Sequence, residues 1–332
     1  MKVTTAGVLR INFRDFLPTD NRRIRCNYRC SYCNQMRISQ VTLTADDYAQ
    51  ACRLWDKLQI LEDRLLVKVN FDGEIFADIW AQKICFHICN LPSVSRFEFI
   101  TNNSVDPDMY IDSIDPSKTV FNCSFHPDFV SIDRFIAYIQ KIKRHGSGVF
   151  ATLVVTPQRV EQLNSIITRF KNEGILLKPL LLLGRYQLGI PQALKQIHKN
   201  ICKFFGVKLV FPQAYSQKAL NIIKQNYYSE LEFEYQYGKK TKGELCYAGV
   251  DMINIYKDGT IMRCFGDSLG TVDNLLAGSL RLGKEPYPCL AETCQCPTHM
   301  IFLRAFRKRF KLSDDFVDHY NSGKELLYAE KI

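Results

Sequence analysis

Apolar positions along this chain gather in short runs, and between the runs they recur with a helical period. Residues 8–13 (VLRINF), 65–71 (LLVKVNF), 95–101 (SRFEFIT), 119–125 (TVFNCSF), 148–156 (GVFATLVVT) and 175–183 (ILLKPLLLL) read as strands. The spacing between them predicts helices over 44–60, 75–90, 106–113, 131–146 and 158–173. The segment 131–146, SIDRFIAYIQKIKRHG, is strongly amphipathic, and Gly146 is its expected stop. This alternation predicts an α/β fold with a parallel sheet, because parallel neighbours need long, usually helical, return connections. Six such units fall short of a closed eight-fold barrel, so a partial (β/α)6 barrel or an open sheet is expected. In either, chemistry gathers at the C-terminal ends of the strands.

The character changes near residue 237. Residues 237–244 (YGKKTKGE) are polar, basic and punctuated by glycine, and they read as a linker. Beyond them, VDMINIYKDGTIMRC (250–264) holds two alternating runs joined by Lys257-Asp258-Gly259, a strong hairpin signal. The chain is therefore expected to divide into 1–236 and 237–332. Neither an internal repeat beyond the strand–helix order nor a low-complexity segment is evident.

Composition narrows the class. Of the 332 residues, 46% are hydrophobic and 23% charged, which reads as globular with a full core. No apolar run reaches the roughly 18 residues of a membrane span, and the N-terminal residues lack a signal peptide's apolar core. A reducing cytoplasm is the expected location. Thirteen cysteines then need a reason, since structural disulfides are rare there. Cys52, Cys85, Cys89, Cys123 and Cys202 lie in apolar surroundings and read as core filling. The rest form two groups: Cys26, Cys30 and Cys33, then Cys246, Cys264, Cys289, Cys294 and Cys296.

The first group, CNYRCSYC, follows the first strand. A structural zinc site takes four protein ligands, whereas three thiolates on a four-iron cluster leave one iron open to another molecule. The Cys-x3-Cys-x2-Cys spacing, with Tyr32 just before the third cysteine, resembles the signature of the radical S-adenosylmethionine superfamily. That resemblance implies a [4Fe–4S] cluster whose open iron chelates S-adenosylmethionine. One electron then breaks the sulfonium bond to give a 5′-deoxyadenosyl radical, which takes hydrogen from a substrate. Further positions match. After the second strand, FDGE resembles the family's Gly-Gly-Glu, with Gly73 and Glu74 matching and Asp72 departing. TNN (101–103) resembles the family's Thr-Asn-Gly, which puts Asn102 beside the cofactor with Tyr32, Gly73 and Glu74. Ser124, after the fourth strand, is a candidate for the cofactor's carboxylate or ribose. His126 is a candidate catalytic residue, to move protons or contact substrate near neutral pH.

In the second group, Cys246 and Cys264 bracket the hairpin and CLAETCQC supplies Cys289, Cys294 and Cys296. This resembles the opening of SPASM and twitch domains, which implies a second, auxiliary [4Fe–4S] cluster in residues 237–332. The full SPASM pattern has seven cysteines. With five present, one cluster is expected and one cysteine is left over. Zinc is the physical alternative, since four cysteines suit either.

The resemblance implies hydrogen abstraction from a peptide or a carbohydrate-like small molecule, ending in oxidation, epimerisation or cross-linking. The formal charge of +10 suits an acidic reductant such as a flavodoxin or ferredoxin. The aromatic stretch 226–238 is interleaved with acids, which argues against a nucleic-acid groove. The competing class is a non-catalytic iron–sulfur or zinc protein that binds a partner through its basic face. Formation of 5′-deoxyadenosine separates the two.

Overall fold

The computed structural model describes residues 8–14, 26–30, 32–33, 42–61, 64–71, 73–182, 215–227, 230–264, 267–294 and 303–304. The fold is α/β, built on a mostly parallel sheet. Six strands alternate with helices as the hydrophobic pattern predicts: β1 (Val8–Arg14), β2 (Arg64–Asn70), β3 (Val94–Thr101), β4 (Thr119–Ser124), β5 (Gly148–Val155) and β6 (Leu177–Leu181). Four helices link them: α1 (Ala45–Leu58), α2 (Ile79–Cys89), α3 (Ile132–His145) and α4 (Leu163–Asn172). The six strands lie side by side in chain order, each parallel to the next. With right-handed crossovers, sequential order puts every helix on one face of the sheet. The sheet stays open among the described residues, in keeping with a partial barrel rather than a closed one.

The two faces differ in chemistry because strand side chains alternate. In β1, Leu9, Ile11 and Phe13 face the helices, joined by Val67 and Val69 of β2, Phe97 and Phe99 of β3, and Phe121 and Cys123 of β4. Trp55 and Leu58 of α1, Ile84 and Ile88 of α2, Ile139 of α3 and Phe170 of α4 complete this core. Cys85, Cys89 and Cys123 are buried in it as core filling, Cys52 is half-buried, and Cys202 lies outside the described residues. The opposite face carries Arg10, Asn12 and Arg14 of β1, Lys68 of β2, Glu98 of β3, Asn122 and Ser124 of β4, Thr152 of β5 and Lys178 of β6. Most of these polar side chains are buried too.

Local signals explain the helix ends. Thr44 and Asp47 form a capping box at the start of α1, and Gly146 ends α3 in the left-handed conformation, at φ +95°. The expected helix 75–90 is broken instead. Its first turn is a 3-10 turn (Ile75–Ala77), and Asp78 restarts it by accepting from the backbone N–H groups of Trp80 and Ala81. The expected helix 106–113 is two 3-10 turns, Pro107–Met109 and Ile111–Ser113, anchored by buried Tyr110, Ile111 and Ile114. The expected helix 158–173 begins as a 3-10 segment, Pro157–Gln162.

Residues 215–236, which showed no clear pattern, hold α5 (Gln217–Gln225) and α6 (Glu230–Gln236). Tyr227 docks this pair on the end of β6, its hydroxyl accepting from the Leu181 N–H at 2.7 Å. After a short β7 (Leu245–Cys246) comes the expected hairpin, β8 (Met252–Tyr256) and β9 (Thr260–Cys264), with Gly259 at φ +86° in its turn. β10 (Asp267–Thr271), the helix α7 (Val272–Leu276) and β11 (Tyr287–Pro288) follow. β8 pairs in parallel with β1, so the C-terminal hairpin extends the main sheet. No helix among the described residues is long and apolar enough to cross a membrane.

Candidate functional site

The cysteine loop follows β1, the ends of β3 and β4 meet it, and the end of β2 is tied to that of β3. Cys26, Cys30 and Cys33 are half-buried, unlike the core cysteines. A turn from the Cys33 N–H to the Cys30 carbonyl, at 3.2 Å, brings the second and third together. Donors reach the sulfurs: the Tyr28 N–H lies 3.4 Å from Cys26 Sγ, and Asn102 Nδ2 lies 3.8 Å from the same atom. Asn102 also donates to Asn27 Oδ1 at 2.9 Å, so the end of β3 grips the loop twice.

Glu74 ties the end of β2 to the end of β3. It is 2% exposed, and its carboxylate accepts from Thr101 Oγ1 at 2.6 Å, the Asn102 N–H at 2.5 Å and the Phe76 N–H at 3.2 Å. Burial pushes its carboxyl up to about 7, and these three donors oppose the rise. Gly73 before it sits at φ +131°, a conformation that side chains disfavour. Asp72 lies outside the described residues. Asn103 takes the left-handed conformation at φ 54°, which turns the chain so that the Asn103 N–H reaches Thr101 Oγ1 at 2.9 Å.

From the end of β4, His126 reaches the same loop. Its Nδ1 lies 2.8 Å from the Tyr32 hydroxyl and 3.4 Å from Cys30 Sγ. The imidazole stacks on Tyr32 (ring centres 5.8 Å apart) and meets Tyr28 edge-on at 5.7 Å. Burial holds it neutral, with its pKa lowered to about 4. Tyr32, Asn102 and His126 thus meet around Cys26 and Cys30, and Glu74 lies behind Asn102. Ser124 points elsewhere. Its hydroxyl lies 3.3 Å from Thr152 Oγ1 and joins a run across the polar face, through Asn122 to Glu98 and Lys68.

That run was missed in the sequence, although a signal existed. LRINFR in β1 alternates strictly, and polar residues recur inside the strands as Lys68, Glu98, Asn122, Thr152 and Lys178. Lysine 178 lies over the Phe150 ring at 4.6 Å, and burial lowers its pKa to about 8. Asn27, whose side chain links the loop to Asn102 and Ser104, was also missed.

The second cysteine group assembles from four places in the chain. Cys246 is buried in a small cluster with Tyr235, Ala248, Met252 and Leu303, and Cys264, Cys289 and Cys294 pack against it. Burial pushes the Cys246 thiol up to about 12; Cys289 and Cys264 add to the rise, while the Ala248 N–H, 3.5 Å away, opposes it. The expected linker is a wall of this site. Thr241 is fully buried, and the Gly243 N–H and Glu244 carbonyl hydrogen-bond the Cys289 backbone. Cys296 lies outside the described residues. Among the described residues, no three His, Cys, Asp or Glu side chains converge tightly enough to hold one metal ion. The case for clusters therefore rests on the donor sets and on the hydrogen bonds that reach them.

The fold is similar to that of solved structures with bound AdoMet. The structure of anSMEcpe with bound AdoMet and Kp18Cys peptide superimposes with a TM-score of 0.52 at 11% identity, over 83% of this chain and 81% of that one. A second anSMEcpe structure, with bound AdoMet, gives 0.50 at 13% identity over the same shares. Streptococcus suis SuiB gives 0.45 at 13% identity over 78% of this chain, which spans 61% of SuiB's length. No family model and no curated protein matches the chain.

Proposed function

We propose that the chain is a radical S-adenosylmethionine enzyme, with Cys26, Cys30 and Cys33 holding a [4Fe–4S] cluster. The observation that carries this reading is that the ends of β3 and β4 reach the loop after β1 through Asn102 and His126, while Glu74 ties the end of β2 to Asn102. The donor set fits. The three cysteines are half-buried, N–H groups approach Cys26 and His126 Nδ1 lies beside Cys30, as suits thiolate ligands, whereas buried Cys85 and Cys123 have thiols pushed well up. When bound, the cluster and S-adenosylmethionine supply the electron and the 5′-deoxyadenosyl radical that abstracts hydrogen.

The chain's own residues would do the rest. Asn102 and Asn27 brace the loop, Glu74 and Gly73 shape the strand end that faces the cofactor's ammonium, and Tyr32 and His126 wall the site. The polar face, with Asn122, Ser124 and Thr152, offers hydrogen bonds to a peptide or carbohydrate-like substrate. The similar fold of anSMEcpe, seen with bound AdoMet and Kp18Cys peptide, supports this reading. Cys246, Cys264, Cys289 and Cys294 would hold an auxiliary [4Fe–4S] cluster. Cys289 and Cys264 add to the rise in the pKa of buried Cys246, a repulsion that a bound metal relieves. On this reading residues 237–332 form the auxiliary part, and an acidic flavodoxin or ferredoxin delivers the electron.

The test is anaerobic reconstitution with iron and sulfide, followed by S-adenosylmethionine and dithionite. Two clusters give about eight irons per chain, with 5′-deoxyadenosine formed. Cys30→Ala is expected to abolish cleavage and remove one cluster's iron, while Cys264→Ala leaves the first cluster's spectrum intact. Cleavage retained in Cys30→Ala would sink the assignment.

A further inference from the structure

The sulfur of Cys30 has polar neighbours from two parts of the chain. Nδ1 of His126 lies 3.4 Å from it, and the same nitrogen lies 2.8 Å from the Tyr32 hydroxyl. The plane of the imidazole is held between the stacked Tyr32 ring and the edge-on Tyr28 ring, and Tyr28 stacks in turn on Phe129 at 4.7 Å. Flipping Nδ1 away from Cys30 would break its contact with the Tyr32 hydroxyl.

A neutral imidazole carries one N–H and one bare nitrogen. A protonated ring carries an N–H on both nitrogens and so donates from Nδ1 as well. A metal-bound thiolate can only accept, so a bare Nδ1 aimed at it would set lone pair against lone pair. The favourable tautomer therefore carries its proton on Nδ1. The Tyr32 hydroxyl, 2.8 Å from Nδ1, then accepts from the same N–H and has Cys30 as a hydrogen-bond partner in its turn.

We propose that His126 is a positioning residue for the first cluster, donating from Nδ1 to the Cys30 sulfur while Tyr32 fixes the ring. This rests on the reading of Cys26, Cys30 and Cys33 as a cluster loop. It gives His126 and Tyr32 a task distinct from the proton transfer and cofactor contact their positions suggest. Hydrogen bonds to ligand sulfurs withdraw electron density and favour the reduced cluster. His126 thus helps to set how readily the first cluster accepts the electron.

The experiment is a redox titration of the reconstituted protein, following the spectroscopic signal that Cys30→Ala removes. His126→Leu removes the donor. His126→Asn places an amide nitrogen near the position of Nδ1 and serves as the conservative rescue. At fixed potential, His126→Leu is expected to lower the ratio of reduced to oxidised cluster about tenfold, which is about 59 mV for one electron. His126→Asn is expected to stay near wild type. A leucine variant that titrates with wild type overturns the inference, as does an asparagine variant that moves with leucine.

If the leucine variant takes up no iron, His126→Phe decides, because it keeps an aromatic ring beside Tyr32 and Tyr28 but carries no donor. A ratio about tenfold below wild type supports the hydrogen bond, and an unmoved ratio overturns it. A wild type that takes up no iron at this loop sinks the cluster reading itself, and the inference with it. Normal loading with an unmoved leucine variant sinks the inference alone.

Discussion

Replacing Glu74 with glutamine tests the joint between β2 and β3. The carboxylate is 2% exposed and accepts from a hydroxyl and two backbone N–H groups. Glutamine keeps one oxygen and presents an NH2 at the other, so one donor loses its acceptor. An unsatisfied buried donor costs about 1–3 kcal/mol, and that cost is present at every pH. The wild-type carboxyl adds a pH-dependent cost that glutamine lacks. Its pKa is raised from 4.5 to about 7 in the native state. Between those values the native state holds a proton that the unfolded chain has released, so wild-type stability falls as pH rises through this window. Each pH unit is worth about 1.4 kcal/mol, which makes the whole window worth about 3 kcal/mol. Glu74→Gln should therefore be the less stable protein at pH 4.5–5 by about 1–3 kcal/mol. The gap should close or reverse by pH 8. Urea unfolding of the iron-free protein, followed through the fluorescence of buried Trp55, gives both gaps, and other titrating groups cancel between the two proteins. A gap of equal size at pH 5 and pH 8 would refute the reasoning.

Two further perturbations probe the frame around the site. Lys68→Met leaves Glu98, which is 4% exposed, without the ammonium 2.7 Å away, and should cost about 3 kcal/mol in urea unfolding. Adding Glu98→Gln should recover much of that, and no recovery in the double variant would argue against the ion pair as the cause. Gly259→Ala forces alanine to φ +86° in the hairpin turn, with its methyl 3.4 Å from Leu54 of α1. A loss of about 1–2 kcal/mol is expected, and a thermal midpoint equal to wild type would show that the turn relaxes.

Hydrophobic spacing was enough to read β1 to β6 and the helices α1 to α4, because each strand buries one face and each helix one stripe. It misjudged 106–113 for a physical reason: Tyr110, Ile111 and Ile114 are apolar anchors for two short turns, and anchors at that spacing imitate a helix. It took 237–244 for a linker because the segment is polar, whereas its backbone hydrogen bonds to Cys289 and Glu292 build a wall of the second cysteine site. The polar face went unread although β1 alternates strictly, since a strand buried on both faces does not reveal from its own pattern which groups its polar side chains meet.

By itself, then, the sequence determined which residues carry the chemistry. Cys26, Cys30 and Cys33 share one loop, and loop spacing is a local property that one-dimensional order preserves. The tertiary structure decided what those residues touch. The grip of Asn102 on Asn27 spans 75 positions, the approach of His126 to Cys30 spans 96, and the pairing of β8 with β1 joins opposite ends of the described chain. Such contacts follow from strand order, crossover hand and register. They arise only once the sheet has brought four strand ends to a common edge.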